Sequence, residues 1–300
     1  MGTPLVSVII PTHNRASMLP RAIRSVQRQT YPHLEILVID DASIDNTADV
    51  VAGFDDPRIR YMRHEANRGG SASRNTGIRA ATGDYIAFLD DDDEWEPEKT
   101  EEQKRVLQDF DAVTCTSFPV PADMISLSQT KTVELEDLLR GKFTYGGTGV
   151  LMARANVLKQ TMFDESLPRC QDWDLFIRIA MKHKIAYLNK PLLISGAGSH
   201  LRITNSVVNV PISELEHQFR MIHKHKKLFG TTWFKRHMSG ALLFGIKHRR
   251  DKFSLLAYTI RWYGLVNVIR ALAIRFEQKL SEGLSSRFLA GRKIMKRGKS

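Results

Sequence analysis

Apolar residues in the first ninety positions come as short dense runs, separated by polar stretches with helical spacing. Val6-Ser-Val-Ile-Ile10 has the density of a buried strand, and Pro11 closes it because proline cannot continue a central ladder. After a polar loop, Thr12 to Ser17, a helix runs to about Gln29 with Ala22, Ile23 and Val26 on one face. Leu34 to Ile39 predicts a second strand, ending in Asp40-Asp41. Ala42 to Asn46 reads as a turn, with Asp45 placed to cap the helix that follows. Ile59 to Met62 is a third strand. Asn67 to Ser73 is a Gly/Ser-rich loop entering a helix over Arg74–Ala81, which Gly83 stops as a left-handed cap. Tyr85 to Leu89 is a fourth strand, and it ends abruptly in Asp90, Asp91, Asp92 and Asp93.

The resulting β-α-β-α-β-α-β order with short connections predicts an α/β fold, a Rossmann-like and mostly parallel sheet flanked by helices. Ligands of such sheets bind beyond the carboxyl ends of the strands. Pro11–Asn14, Asp40–Asp41 and Asp90–Asp93 all fall at such ends, so three polar clusters converge on one crevice. Downstream, Glu98–Phe110 reads as a helix, Ala112–Ser117 as a strand and Val120–Leu138 as a looped stretch. Gly146–Gly149 forms a turn before a strand at Val150–Ala153. Pro168–Asp172 leads into a helix with Leu175, Phe176, Ile179 and Ala180 on its apolar face, and Ile185–Leu188 is a short strand.

Beyond residue 210 the character changes. Ser213-Glu-Leu-Glu216 has the form of a capping box, opening a helix that ends at Gly230. Phe253 to Phe276 is apolar but interrupted by Arg261, Arg270 and Arg275, which weighs against a spanning helix and leaves a surface-lying one or a solvated helical subdomain. Residues 1–210 and 211–300 are therefore expected to be separate regions, the second a basic helical extension.

Charge sharpens this division. Residues 201–300 carry 21 Lys and Arg against 5 Asp and Glu, a net of +16, whereas residues 1–200 carry a net of −5. A basic tail on a mildly acidic body suggests a polyanionic partner, either an anionic membrane surface or nucleic acid. Neither a zinc pattern nor an aromatic-interleaved RNA motif is present, so no nucleic-acid partner is expected. With 42% hydrophobic residues the chain has material for a substantial core, which excludes global disorder. Cys115 and Cys170 lack metal-site or redox-motif spacing. The apolar run at Leu5–Pro11 is too short for a signal peptide, which makes the cytoplasm the expected compartment, with a peripheral place on the inner face of the cytoplasmic membrane open to the basic region.

Four adjacent carboxylates repel one another, so ionised together they call for a cation. Mg²⁺ and Mn²⁺ take oxygen ligands, and Mg²⁺ typically combines one or two carboxylates with substrate phosphates. A strand ending in Asp-x-Asp suits a metal–diphosphate; a solvated acidic turn is the plainer reading of the same residues. The glycine and ligand spacing of a calcium EF-hand loop is missing.

Five motifs in order then resemble one family: Val6-Ser-Val-Ile-Ile-Pro-Thr-His-Asn14, Val38-Ile-Asp-Asp-Ala-Ser43, Asn67-x-Gly-x-Ser-x-x-Arg-Asn75-x-Gly77, Phe88-Leu-Asp-Asp-Asp-Asp93 and Gln171-Asp-Trp-Asp-Leu175. Together they are similar to the signatures of family 2 glycosyltransferases, inverting enzymes of the GT-A fold that use nucleotide-diphosphate sugars, and they cover about residues 4–200. Leu201–Ser206 and the basic tail further resemble members that build bacterial capsule, O-antigen or exopolysaccharide. The resemblance implies that Pro11 and His13 cradle the nucleotide base and that Asp41 hydrogen-bonds it. It places Gly69, Arg74 and Asn75 around the nucleotide and diphosphate. Asp90 and Asp92 become the Mg²⁺ or Mn²⁺ ligands, Asp92 the more direct. Asp91 joins the donor-binding set, acting with Asp93 on the field and the turn. Asp172 becomes the general base, although the family often has Glu-Asp where this chain has Gln171-Asp172. Gly146–Gly149, His200 and Arg202 are candidates near the acceptor and diphosphate; Trp95 and Trp173 are expected to pack. The implied partners are a nucleotide-sugar donor, most simply a UDP-sugar, and a glycan or lipid-linked acceptor. The rival readings are a nucleotide-sugar-binding protein without activity and a nucleic-acid-binding protein acting through the tail.

Overall fold

A computed structural model of the chain describes residues 2–118, 131–141, 147–196 and 208–274. Its contacts divide it into two compact units, Met1–Ser199 and His200–Ser300.

Among the described residues the first unit is built on a nine-stranded sheet. Its elements run β1 (Val6–Thr12), α1 (Leu19–Gln27), β2 (Leu34–Asp40), α2 (Thr47–Ala52), β3 (Ile59–Arg63), α3 (Gly70–Ala80), β4 (Tyr85–Phe88), β5 (Glu94–Trp95), α4 (Lys99–Val106) and β6 (Ala112–Phe118). Then follow β7 (Lys131–Val133), α5 (Leu135–Leu139), β8 (Met152–Arg154), α6 (Ala155–Thr161), α7 (Gln171–Ala180) and β9 (Ile185–Ile194). The strand order is β3-β2-β1-β4-β8-β6-β9-β5, with β7 also on β9. β1 pairs in parallel with both β2 and β4, and β2 with β3, as the β-α-β repeat predicts. The far half is mixed, because β8 is antiparallel to both β4 and β6. β1, β2 and β4 are buried on both faces, which accounts for their continuous apolar runs. Between β1 and β4 the chain order reverses, which places a crevice at their carboxyl ends.

Several local expectations are corrected. Pro11 does not close β1, which continues to Thr12. Ile9 accepts from Leu89 N at 3.0 Å and is the last β1 residue in register with β4, so the missing Pro11 N–H faces a side where that ladder has ended. α3 starts at Gly70, one turn before Arg74, because Gly69 (φ 85°) supplies the entry turn. Gly83 is not a left-handed cap: a Cβ there would lie 2.6 Å from Leu5 O, so the position needs glycine for close chain approach. β9 runs on through Pro191, its irregularity absorbed by two register shifts against β6. Asp45 stands one residue before the N-cap of α2, yet its Oδ1 still accepts from Thr47 N at 3.1 Å.

Lys99 is fully buried at the start of α4, with Nζ 3.9 Å from the Trp95 ring centroid and 2.7 Å from Gln103 Oε1. Burial lowers its pKa to about 8. The unfolded chain then holds its lysine proton over a range, ~8 to ~10.4, where the folded chain has released it, so stability rises with pH there. Urea unfolding across that range is expected to show a gain of up to about 3 kcal/mol, absent from Lys99→Met.

The second unit is helical: α8 (Ile212–Leu215), α9 (Arg220–Lys224), α10 (Lys226–Leu242) and α11 (Lys252–Tyr263). The capping box does not form. Pro211 is the N-cap of α8 with no side-chain bond, and Glu216 instead accepts from the hydroxyls of Tyr258 (2.9 Å) and Tyr263. Gly230, at φ 64°, breaks the helical path, but helix resumes on its far side within α10. No helix of the described residues is long and apolar enough to cross a membrane.

Candidate active site

The four aspartates after β4 are tolerated because partners from several elements are spread over them, Arg15 serving two. Asp90 Oδ1 accepts from Arg74 Nη2 at 2.5 Å and from Thr148 Oγ1 at 3.4 Å. Asp91 is buried, held by Thr12 Oγ1 (2.8 Å) and Arg15 Nη1 (2.7 Å). Asp92 lies 3.7 Å from the same Arg15 nitrogen, and its carbonyl accepts from Arg21 Nη2 at 2.6 Å. Asp93 Oδ1 accepts from Gly196 N at 2.8 Å, tying the run to the segment after β9. Asp93 N also donates to Asp90 O at 3.0 Å, so the run is a turn that spreads its carboxylates apart. Burial pushes the Asp91 pKa up against the pull of Arg15 and Thr12, marking it as the member of the run withdrawn from solvent.

A second centre is Asp41 at the end of β2. Its Oδ1 accepts from Arg68 N (2.8 Å) and faces His64 Nδ1 (2.7 Å), while Oδ2 accepts from Gly69 N (2.7 Å). Although burial acts to raise it, these partners hold the Asp41 pKa below the ordinary carboxylate value. The carboxylate therefore fixes the loop that opens α3, with acceptor capacity remaining. Asp40 serves the turn: Oδ1 accepts from Ser43 N (2.9 Å) and Oδ2 from the Tyr61 hydroxyl (2.5 Å). His13 is bound through Nδ1 to the Asp41 carbonyl at 2.7 Å and sits beside Asn14, whose φ is 53°. Pro11 lies just before them within β1, in register with Ile39 of β2.

α3 carries Arg74 into the space between the acidic run and α7. Its side chain folds back over the first turn, with Nη1 3.0 Å from where a Gly70 Cβ would stand, and crosses the Phe163 ring at 5.7 Å. Arg74 Nε and Ser71 Oγ are buried with no hydrogen-bond partner among the described residues. Two orphaned donors in the first turns of a helix, one of them on the arginine paired to Asp90, fit an anionic ligand. Asn75 points elsewhere. Its amide donates to Phe163 O (3.0 Å) and Glu165 Oε1 (2.8 Å) and accepts from Phe163 N (2.8 Å), so its capacity is spent on clamping the 163–165 segment to α3.

Asp172 stands in the first turn of α7, after Cys170 in left-handed conformation (φ 56°, ψ 33°). Burial pushes its pKa above the ordinary value and repulsion from Asp90 adds to this, outweighing Trp173 N–H and the Arg74 charge. Arg74 thus acts electrostatically on both Asp90 and Asp172. Trp95 and Trp173 pack, with their indole N–H groups donating to Gly149 O (3.3 Å) and Leu138 O (3.1 Å). The 147–150 turn lies against the acidic run through Thr148, and Gly149 leaves 3.6 Å between a would-be Cβ and Asp93 Oδ2. Gly146, His200 and Arg202 lie outside the described residues.

Among the described residues no group of three or more His, Cys, Asp or Glu is arranged to hold a metal. Asp90 and Asp92 alone make a two-carboxylate donor set, which fits Mg²⁺ or Mn²⁺ provided the ligand's phosphates complete the shell. The orphaned Arg74 and Ser71 donors are consistent with such a phosphate group.

The model of "Glycosyl transferase family 2" matches residues 7–166, more than half of the chain. The chain belongs to glycosyl transferase family 2. This glycosyltransferase is 27% identical over 301 residues to Escherichia coli (strain K12) WcaA, named for a role in colanic acid biosynthesis, with 95% of this chain and 99% of WcaA covered. Its fold is similar to S. aureus TarS 1-349 in complex with UDP-GlcNAc (TM-score 0.60, 16% identity, 91% of this chain and 92% of that one). It is also similar to the Pyrobaculum calidifontis mannosyltransferase PcManGT in complex with GDP-Man and Mn²⁺ (TM-score 0.59, 19% identity, 92% and 81% covered). The architecture is thus the mixed α/β fold of GT-A glycosyltransferases.

Residues that sequence reasoning missed in this glycosyltransferase are the partners: Thr12, Arg15, Arg21, His64 and Gly196. An excess of arginine just after β1 was the one available signal. Gly196 carries the strictest requirement, since a Cβ there would stand 1.8 Å from Asp92 O. Gly196→Ala must displace either the acidic run or the segment after β9. It is expected to weaken Mn²⁺-dependent nucleoside diphosphate binding by about tenfold, read by calorimetry, without removing any candidate ligand.

Proposed function

We propose that this glycosyltransferase moves a sugar from a nucleotide-diphosphate donor, most simply a UDP-sugar, to a hydroxyl of a glycan or lipid-linked acceptor in bacterial surface-polysaccharide synthesis, with inversion. The observation that carries this reading is Arg74, which is paired to Asp90 and acts through its charge on Asp172 while keeping a buried, unpartnered Nε. Asp90 and Asp92 would hold Mg²⁺ or Mn²⁺, which when bound would supply Lewis-acid stabilisation to the departing diphosphate. Arg74 and Ser71 donate to the diphosphate at the α3 N-terminus. Pro11 and His13 flank the base, and Asp41 keeps Gly69 and the α3 entry in place beside it. Asn75 serves the donor site as a positioning residue through its clamp, and Asp91 does so through Arg15.

Asp172 takes the proton of the acceptor hydroxyl as its oxygen bonds to the anomeric carbon and the carbon–oxygen bond to the diphosphate breaks. One displacement with a base and no enzyme nucleophile inverts the centre. A carboxylate whose pKa is raised is a stronger base, and it is deprotonated only above the usual aspartate range near ~3.9, so the acid limb of kcat/KM is expected above that range. A lipid-linked acceptor would place the protein peripherally at the cytoplasmic membrane. The test is the configuration of the product by NMR coupling at the new linkage. An α-linked donor is expected to give a β-linked product; an α-linked product contradicts the single displacement.

A further inference from the structure

The second unit presents an apolar surface that nothing among the described residues covers. After α11, Gly264 (φ 90°) turns the chain into a further helical segment, 265–274. That segment buries Val268 and Ala271 on its inner side, yet Leu265 (55% exposed), Val266 (61%) and Ile269 (56%) face outward. Trp262, at the end of α11, is 59% exposed. Within that segment the exposed positions 265/266, 269 and 272 recur at spacings of three and four, the pattern of one helical stripe, and Trp262 stands across the Gly264 break from it. Exposed Lys252, Arg261 and Arg270 lie along the same stretch.

We infer that this stripe docks on an anionic phospholipid bilayer, lying in the interface rather than spanning it. No described helix is long and apolar enough to cross, and a helix joining Trp and aliphatic residues to Lys and Arg has the make-up of an interfacial one. Charge selects the occupant. Residues 201–300 carry a net of +16, so pairing with a second copy brings like charges together, whereas an anionic leaflet complements them. Nucleic acid would satisfy the charge but offers nothing to a broad aliphatic stripe, since such interfaces are polar. Trp262 sits at headgroup depth and Ile269 and Leu265 enter the acyl boundary, with Arg261 and Arg270 reaching back to lipid phosphates. The inference deepens the peripheral location proposed above and rests on it, but it is independent of the transfer chemistry and is tested without nucleotide sugar.

The experiment is co-sedimentation of the full chain with vesicles of phosphatidylcholine alone and of phosphatidylcholine mixed with phosphatidylglycerol. Binding to the mixed vesicles only, weakened by added salt, is expected. Ile269→Glu and Val266→Glu replace exposed side chains, so folding, checked by circular dichroism, is expected to hold while partitioning falls by about tenfold or more. Bromine-labelled lipid is expected to quench tryptophan fluorescence, an effect lost in Trp262→Phe although binding persists. Equal binding to both vesicle types, binding unaltered by Ile269→Glu, or no binding at all overturns the inference. So does a dimer in light scattering that Ile269→Glu dissolves while vesicles bind nothing, because a second copy then owns the stripe.

Discussion

Asp172→Asn is expected to lower turnover by about 10²–10⁴-fold, the usual contribution of a positioned base, while nucleoside diphosphate binding stays nearly unchanged. The substitution keeps the shape of the side chain and the bond from Trp173 N, and removes only basicity and charge. Arg74 remains paired to Asp90, so the donor side is undisturbed. Steady-state kinetics with calorimetry of the bare nucleotide separates the two effects. Turnover within a few-fold of the parent would move the base elsewhere. A comparable loss of nucleotide affinity would make Asp172 a structural support for Arg74 instead. Because burial already disfavours its charge, the neutral amide is also expected to fold at least as stably as the parent at neutral pH.

The second large effect is at the acidic run. Asp92→Ala is expected to reduce Mn²⁺-dependent binding of a nucleoside diphosphate by more than about tenfold, leaving the weak metal-free component in place. Asp92 is a cleaner probe than Asp90. Removing the Asp90 carboxylate also releases Arg74, whose charge would then fall more fully on Asp172 and lower its basicity. Calorimetry with and without Mn²⁺ reads the difference. Unchanged metal dependence in Asp92→Ala would show that Asp92 is only a partner of Arg15. Preserved binding combined with absent turnover in the parent protein would favour the inactive nucleotide-sugar-binding reading.

The parallel half of the sheet was legible because β1, β2 and β4 are buried on both faces and so read as unbroken apolar runs. The mixed half was legible in part: β6, the start of β9 and a strand near β8 were read, but β5 is two residues long and β7 three, too short for periodicity to register, and Pro191 hid the second half of β9. α3 was placed one turn late because Gly70, Ser71 and Ser73 are poor helix formers in isolation; what holds that turn is the Asp41 carboxylate, fixed at the end of β2. The candidate chemistry was visible as charge at strand ends. Its neutralisation was not, since Arg15 is distant in sequence from Asp91, as Gly196 is from Asp92 and Asp93. At Asn75 the motif position, flanking the nucleotide and diphosphate, gave no sign that the amide bonds Phe163 and Glu165.

The most direct test of the central claim is nucleoside diphosphate release from a panel of nucleotide sugars by the purified full chain, with Mn²⁺ or Mg²⁺ and lipid-linked saccharide acceptors present. Release from at least one donor is expected, abolished by chelation and by Asp92→Ala and strongly reduced in Asp172→Asn. No release from any donor, or release indifferent to both substitutions, would contradict it.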